Sequence, residues 1–379
     1  MSANPSKPAN PTNTTDAPAL DPKLKKLIRQ DVQSMHAYAI QDSAGMVKLD
    51  AMENPHRLPA ALQAHLGQRL GALALNRYPD GRVNDLRAAL AAHAKMPAGF
   101  DIMLGNGSDE LISLLAMACD VEGGSILAPV PGFVMYAMSA KLQGLKFIGV
   151  DLTADFDLDE AAMLAAVREH KPSITFLAYP NNPTAKLWDD AAMERIIEAV
   201  GEQGGLVVLD EAYQPFSSKS YIDRIEKHGH VLLMRTLSKF GLAGVRIGYM
   251  IGPKALIAEI DKVRPPYNIS VLNYECALFA LEHEAEFAAQ AADLVAQRAV
   301  LSDALAALEG KGVHAWKSDA NMILVRVPDA AKTFEGLRAR KVLVKNVSKM
   351  HPLLANCLRL TVGTADENAQ MMAALEESL

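Results

Sequence analysis

Around Lys239 the chain reads Thr236-Leu237-Ser238-Lys239-Phe240-Gly241-Leu242-Ala243-Gly244-Val245-Arg246, directly after the apolar run Val231-Leu232-Leu233-Met234. An amine at a strand end, flanked by hydroxyls and followed by a guanidinium, suits a covalently held phosphorylated aldehyde. The amine bonds the carbonyl carbon and the other groups donate to the phosphate.

Three upstream stretches carry compatible chemistry. Gly105-Asn106-Gly107-Ser108-Asp109-Glu110 precedes an apolar helical run, so its glycines allow a tight turn and Ser108 and Asp109 place free N–H groups at a helix start. Such a start binds phosphate, although an ordinary capped helix has the same composition. Glu110 occupies the position where a dinucleotide fingerprint requires glycine. In Tyr179-Pro180-Asn181-Asn182-Pro183-Thr184 two prolines fix a turn that projects Asn182; a turn alone would account for the residues. Asp210 follows the apolar Leu206-Val207-Val208-Leu209, where a buried carboxylate needs a cationic partner. A protonated pyridine nitrogen and an arginine both qualify.

Short apolar segments at 125–128, 145–150, 174–178, 206–209 and 231–234 alternate with helical patterns such as Met193, Ile196, Ile197 and Val200. That alternation predicts a mostly parallel sheet covered on both faces, with its ligand site at the carboxyl ends of the strands. All the polar residues singled out above follow strands. Beyond about residue 272 the pattern changes to Ala-rich helices at 274–283 and 285–308, then strands at 321–327 and 357–362. The expected organisation is a disordered polar tail (1–22), an N-terminal arm with part of a small domain (23–65), a large ligand-binding domain (66–272) and a small α+β C-terminal domain (273–379).

With 379 residues, 50% hydrophobic and 22% charged, the chain can bury the core of an enzyme-sized protein. Its net charge of -6 and the lack of a basic run argue against a nucleic-acid surface. Cys119, Cys276 and Cys357 have neither disulfide-framework nor metal-site spacing. The ten histidines, His228 and His230 included, have no cysteines or carboxylates at ligand spacing in sequence, so no metal is expected. No run reaches membrane-spanning length and the N-terminal stretch lacks the basic-then-apolar order of a signal peptide, so a soluble cytoplasmic protein is expected.

Taken in order, Leu49-Asp50-Ala51-Met52-Glu53-Asn54-Pro55, Asn76-Arg77-Tyr78-Pro79, Gly107-Ser108-Asp109-Glu110, Asn181-Asn182-Pro183-Thr184, Asp210-Glu211-Ala212-Tyr213, Arg235-Thr236-Leu237-Ser238-Lys239 and Cys357-Leu358-Arg359-Leu360-Thr361-Val362-Gly363 resemble the fold-type I pyridoxal-phosphate aminotransferases. Within them the chain is most similar to the histidinol-phosphate aminotransferase family, over roughly residues 35 to 379.

The resemblance implies an α/β fold with a mostly parallel seven-stranded sheet between helices, a smaller α+β domain and pyridoxal 5'-phosphate as cofactor. By the same resemblance Lys239 bonds the cofactor aldehyde and moves the substrate proton, Asp210 keeps the pyridine nitrogen protonated, and Tyr213 and Asn182 bond the 3'-oxygen. Gly107, Ser108, Asp109, Thr236, Ser238 and Arg246 form the phosphate site, and Phe133 stacks on the ring where the family often has Tyr. Tyr78 reaches the cofactor phosphate of a neighbouring subunit, which implies a homodimer with shared active sites. Arg359 receives the substrate anion, with Tyr38, Asn54, Tyr267 and Lys345 as further lining; Lys345 stands where the family places an arginine.

The implied reaction is transamination of L-histidinol phosphate with 2-oxoglutarate to imidazole-acetol phosphate and glutamate, a step of histidine biosynthesis. An aromatic or broad-range amino-acid aminotransferase and a threonine-phosphate decarboxylase are the alternatives within the fold. A regulator that senses the cofactor is disfavoured because no DNA-binding helix-turn-helix precedes the domain.

Overall fold

The computed structural model describes residues 21–35, 41–79 and 81–379. The chain divides into two compact units, one ending at Gln41 and the other running from Asp42 to Leu379.

The second unit is organised by a seven-stranded sheet in the order Phe100–Gly105, Gly248–Pro253, Val231–Thr236, Leu206–Asp210, Ile174–Ala178, Ser125–Val130, Lys146–Asp151. The five strands from Val231–Thr236 to Lys146–Asp151 run parallel. Gly248–Pro253 lies antiparallel to both of its neighbours. The central strands are buried along their whole length, as continuous Val, Ile and Leu runs require when both faces are covered.

Helices Ser108–Ala118, Val134–Gln143, Glu160–His170 and Asp190–Glu202 connect the strands. Asp159 and Asp189 cap the last two through their side chains, accepting from Ala162 N–H and Ala192 N–H, each at 2.9 Å. The helix Asp190–Glu202 buries Met193, Ile196, Ile197 and Val200 on one face, at the three- and four-residue spacing read in the sequence.

Two buried clusters pack around this sheet, one on Leu209, Leu233 and Ile251, the other on Met234, Val208 and Met250. These residues alternate along the same strands and so point to opposite faces. A third cluster surrounds a four-stranded sheet in the order Lys345–Asn346, Cys357–Thr361, Met322–Arg326, His314–Ala315, against the long helix Glu284–Ala306 and the terminal helix Ala365–Glu376. Val47–Lys48 pairs in parallel with Val342–Leu343, so a segment from the start of this unit joins residues near its end.

The five apolar segments read from the sequence are strands, extended by up to two residues towards the polar side chains. Phe100–Gly105 and Gly248–Pro253 were not legible, since glycine, aspartate and proline interrupt their alternation.

Candidate active site

Three strands that end near the site, Ile174–Ala178, Leu206–Asp210 and Val231–Thr236, hand over to irregular segments carrying polar side chains. The Leu206–Asp210 strand ends on Asp210, only 4% exposed. Its Oδ2 accepts the Tyr136 hydroxyl at 2.6 Å and its Oδ1 the Ala212 N–H at 3.0 Å. Burial pushes the Asp210 carboxyl up to about 6, against the lowering effect of the two hydrogen bonds.

The neighbouring strand ends on Thr236, and Lys239 sits in a wide π-type turn, Ser238–Leu242. Such turns cluster at functional sites. Gly241 allows this one at φ +134°, where an added Cβ would meet Phe287 Cδ1 at 2.9 Å. The Lys239 ammonium donates to the Ala51 carbonyl at 2.8 Å and lies 5.8 Å from the centre of the Tyr213 ring. Its pKa falls to about 7, first through burial and then through the positive charges of Arg359 and Arg246.

The helix Ser108–Ala118 opens the opposite wall. Gly107 precedes it at φ +84° with no side-chain cap, so the first-turn N–H groups have no intrahelical acceptor. Arg246 faces this start: Nη1 donates to Ser238 Oγ at 3.3 Å and Nη2 to Asp109 Oδ2 at 3.4 Å. Thr236 Oγ1 donates to Ser238 Oγ at 3.0 Å. A Cβ at position 107 would press into the Arg246 guanidinium and displace it, and the φ of +84° itself favours glycine here. Free helix N–H groups, two hydroxyls and a guanidinium are the donor set a phosphate needs.

One cavity is lined by Ser108, Asp109, Phe133, Asn182, Asp210, Tyr213, Thr236, Ser238, Lys239 and Arg246, together with Tyr136 and Met52. Gly107 lies directly behind this lining. The residues read from the sequence as the phosphate, ring and amine positions therefore converge. The seven-residue step from Lys239 to Arg246 brings the guanidinium to the helix start, with Arg246 itself at φ +56°.

Arg359, 7% exposed on the strand Cys357–Thr361, donates through Nη1 to Asn182 Oδ1 at 2.7 Å and through Nη2 to the Asp50 carbonyl at 2.8 Å. It is thus tied to a cavity residue, although Arg359 itself is not part of the lining. Lys345 is its direct partner across the antiparallel ladder. Like charges at facing ladder positions are unfavourable on their own.

The rest of the expected substrate set is dispersed. Lys345 itself does not line the cavity. Asn54 bonds Gln290 Oε1 at 3.0 Å and the His56 N–H at 2.9 Å, beside the lysine turn and outside the cavity lining. Tyr267, 56% exposed, stacks on Tyr78, 77% exposed, with ring centres 4.6 Å apart. Neither ring lines the cavity. Tyr38 lies outside the described residues.

A family model, aminotransferase class I and II, matches residues 44–375. The chain belongs to the class I and II aminotransferases. Among relatives of this aminotransferase, histidinol-phosphate aminotransferase of Polaromonas naphthalenivorans is 84% identical over 95% of this chain and 98% of its own length. The protein of the same name from Methylibium petroleiphilum is 73% identical over 95% of this chain and 96% of its own. Among solved structures, histidinol-phosphate aminotransferase from Sinorhizobium meliloti in complex with pyridoxal-5'-phosphate superposes with a TM-score of 0.79 at 24% identity, covering 93% of this chain and 97% of that one. At that identity the likeness concerns the fold.

Two contributions to this aminotransferase's cavity escaped the sequence reading. Tyr136 sits in the helix Val134–Gln143, where an aromatic reads as core. The Asp50–Met52 backbone enters through its carbonyls, which no side-chain motif reports. Away from the cavity, Glu194 and Glu198 bring carboxylates to His228, three ligand atoms within 4.8 Å of one another. Glu194 already accepts the Tyr221 hydroxyl at 2.9 Å, with Arg224 at 3.6 Å and Lys227 at 3.7 Å. One Glu194 oxygen is thus already shared with two basic side chains. Among the described residues no helix is long and apolar enough to cross a membrane.

Proposed function

We propose that this aminotransferase moves the amino group of L-histidinol phosphate to 2-oxoglutarate, giving imidazole-acetol phosphate and L-glutamate, on pyridoxal 5'-phosphate held at Lys239. One observation carries the reading: the depressed-pKa amine of Lys239, the buried Asp210 and the helix start at Ser108 line a single cavity. The name shared by the highly identical relatives supports the substrate.

Bound in that cavity, pyridoxal phosphate supplies an aldehyde carbon for the amino group and a ring that draws electrons from the substrate carbon bearing it. Ser108 and Asp109 N–H groups, Thr236, Ser238 and Arg246 would hold the phosphate, and Gly107 keeps their cradle open. Phe133 would cover one face of the ring, while Asn182 and Tyr213 would direct hydrogen bonds at its 3'-oxygen. Asp210 would hold a proton at the ring nitrogen. Lys239 would be the attachment point and, when free, the amine placed to take a proton from the substrate carbon and return it. In the cofactor-free protein burial and the charges of Arg359 and Arg246 lower this amine to about 7, which favours its basic form nearer to neutral pH than an ordinary lysine.

Arg359 would receive the substrate anion, the phosphate of histidinol phosphate in one half-reaction and a carboxylate of glutamate in the other. Lys345, facing it across the ladder, would add a second positive charge without a second fork. The proposal extends to a homodimer in the cytoplasm in which exposed Tyr78 reaches the cofactor phosphate of a second copy. It extends also to a large domain (66–272) and a small domain (273–379, joined by part of 23–65), although one buried cluster runs across that boundary from Leu209 and Leu233 to Tyr274, Leu324 and Cys357.

The test is a comparison of kcat/KM for histidinol phosphate, phenylalanine and threonine phosphate, with bleaching of the visible cofactor band by each amine. Preference for phenylalanine would establish an aromatic aminotransferase instead, and carbon dioxide release from threonine phosphate a decarboxylase.

A further inference from the structure

Tyr136 is 2% exposed and its ring has little freedom: it stacks on Phe176 with centres 4.3 Å apart and planes 7° from parallel, and Phe133 meets it edge-on at 5.6 Å. Held there, its hydroxyl donates to Asp210 Oδ2 at 2.6 Å, while the second carboxylate oxygen takes the Ala212 N–H. Both Tyr136 and Asp210 line the cavity.

Desolvation by itself favours the neutral acid at a site this buried. A hydrogen bond donated to a carboxylate strengthens in a low-dielectric interior and favours the charged form. A carboxyl and a pyridine nitrogen that share one proton can place it on either atom, and a donor to the carboxylate shifts it to the nitrogen.

We propose that Tyr136 is a positioning residue whose hydroxyl holds Asp210 as the anion and so keeps the shared proton on the cofactor's ring nitrogen. This rests on the reading that Asp210 faces that nitrogen. Tyr136→Phe removes only the hydroxyl and retains the ring that packs on Phe176.

The experiment measures dissociation constants of pyridoxal phosphate and of its 1-deaza analogue, which has carbon in place of the ring nitrogen, for the wild type, Tyr136→Phe and Asp210→Asn. The wild type is expected to prefer pyridoxal phosphate. Tyr136→Phe should shrink that preference by about tenfold or more, through weaker binding of pyridoxal phosphate alone. An unchanged preference, or equal loss for both ligands, overturns the proposal and leaves Tyr136 a packing residue. A wild type without preference, matching Asp210→Asn, overturns the placement of Asp210 and the proposal with it.

Should Tyr136→Phe bind neither ligand, 3,5-difluorotyrosine at position 136 decides. As a stronger donor it should widen the preference, and a preference that stays the same or narrows refutes the role.

Discussion

The two ends of the cavity are built differently. At the end proposed for the cofactor, side chains from four strand ends and one helix start converge, joined by Arg246 from just before the strand Gly248–Pro253. At the substrate end Arg359 alone is drawn to a cavity residue, while Asn54, Tyr267 and Lys345 lie outside the lining. The end that is common to all reactions of such a cofactor is rigid and made of the central sheet. The end proposed to accept two different anions in turn draws on a second sheet, through Arg359, and on backbone carbonyls. Chemistry held in common can be built once; discrimination must be left adjustable.

The largest effect should come from Lys239→Ala, which removes both attachment and proton transfer: turnover should fall by at least about 10⁴-fold, with some cofactor still bound non-covalently. Retained turnover would break the comparison at its rigid end. Asp210→Asn should lower kcat by about 10³-fold in steady-state assays, with KM changing far less, because the carboxylate acts on the ring and not on substrate binding.

At the other end, Arg359→Ala should reduce kcat/KM for histidinol phosphate and for glutamate together, by roughly 10²-fold. Loss for only one of the two would show that their anions use separate places. Lys345→Arg, which supplies a fork, should change kcat/KM only a few-fold and should act on the phosphate-bearing substrate more than on glutamate.

A pH experiment sharpens the contrast from the rigid side. The amine of Lys239 is lowered from 10.5 to about 7, so below pH 7 the cofactor-free protein carries the full cost of a buried charge. Between pH 7 and 10.5 the unfolded chain binds a proton that the folded one has lost, and stability at this position rises with pH. Cofactor-free Lys239→Met should therefore exceed the wild type in Tm most below pH 7, the gap closing as pH rises. A gap independent of pH would mean that the amine is not depressed.

Legibility in the sequence followed the same division. Lys239, Asp210, Asn182 and Ser108 were readable because each needs a particular residue type at a strand end or helix start, and those ends are marked locally by apolar runs, prolines and glycines. Tyr136 was not, because a buried tyrosine in an apolar helix carries no mark of the carboxylate it will meet from a strand 74 residues away. Lys345 and Arg359 were both singled out, yet their facing positions emerged only from the register of an antiparallel ladder. The strand Gly248–Pro253, which inserts antiparallel beside the lysine strand, was hidden because its end approaches the phosphate loop too closely for side chains: a Cβ on Gly248 would lie 2.6 Å from the Ser108 nitrogen.

Consecutive carbonyls, those of Asp50 and Ala51, receive the guanidinium of Arg359 and the amine of Lys239. One peptide unit thus gauges the gap between the two cations. The gauge is set by backbone, so gaining or losing a single residue between Leu49 and Met52 would turn one carbonyl away from its cation. A change of length in this stretch should cost more than a change of side chain at Ala51, which the gauge does not use.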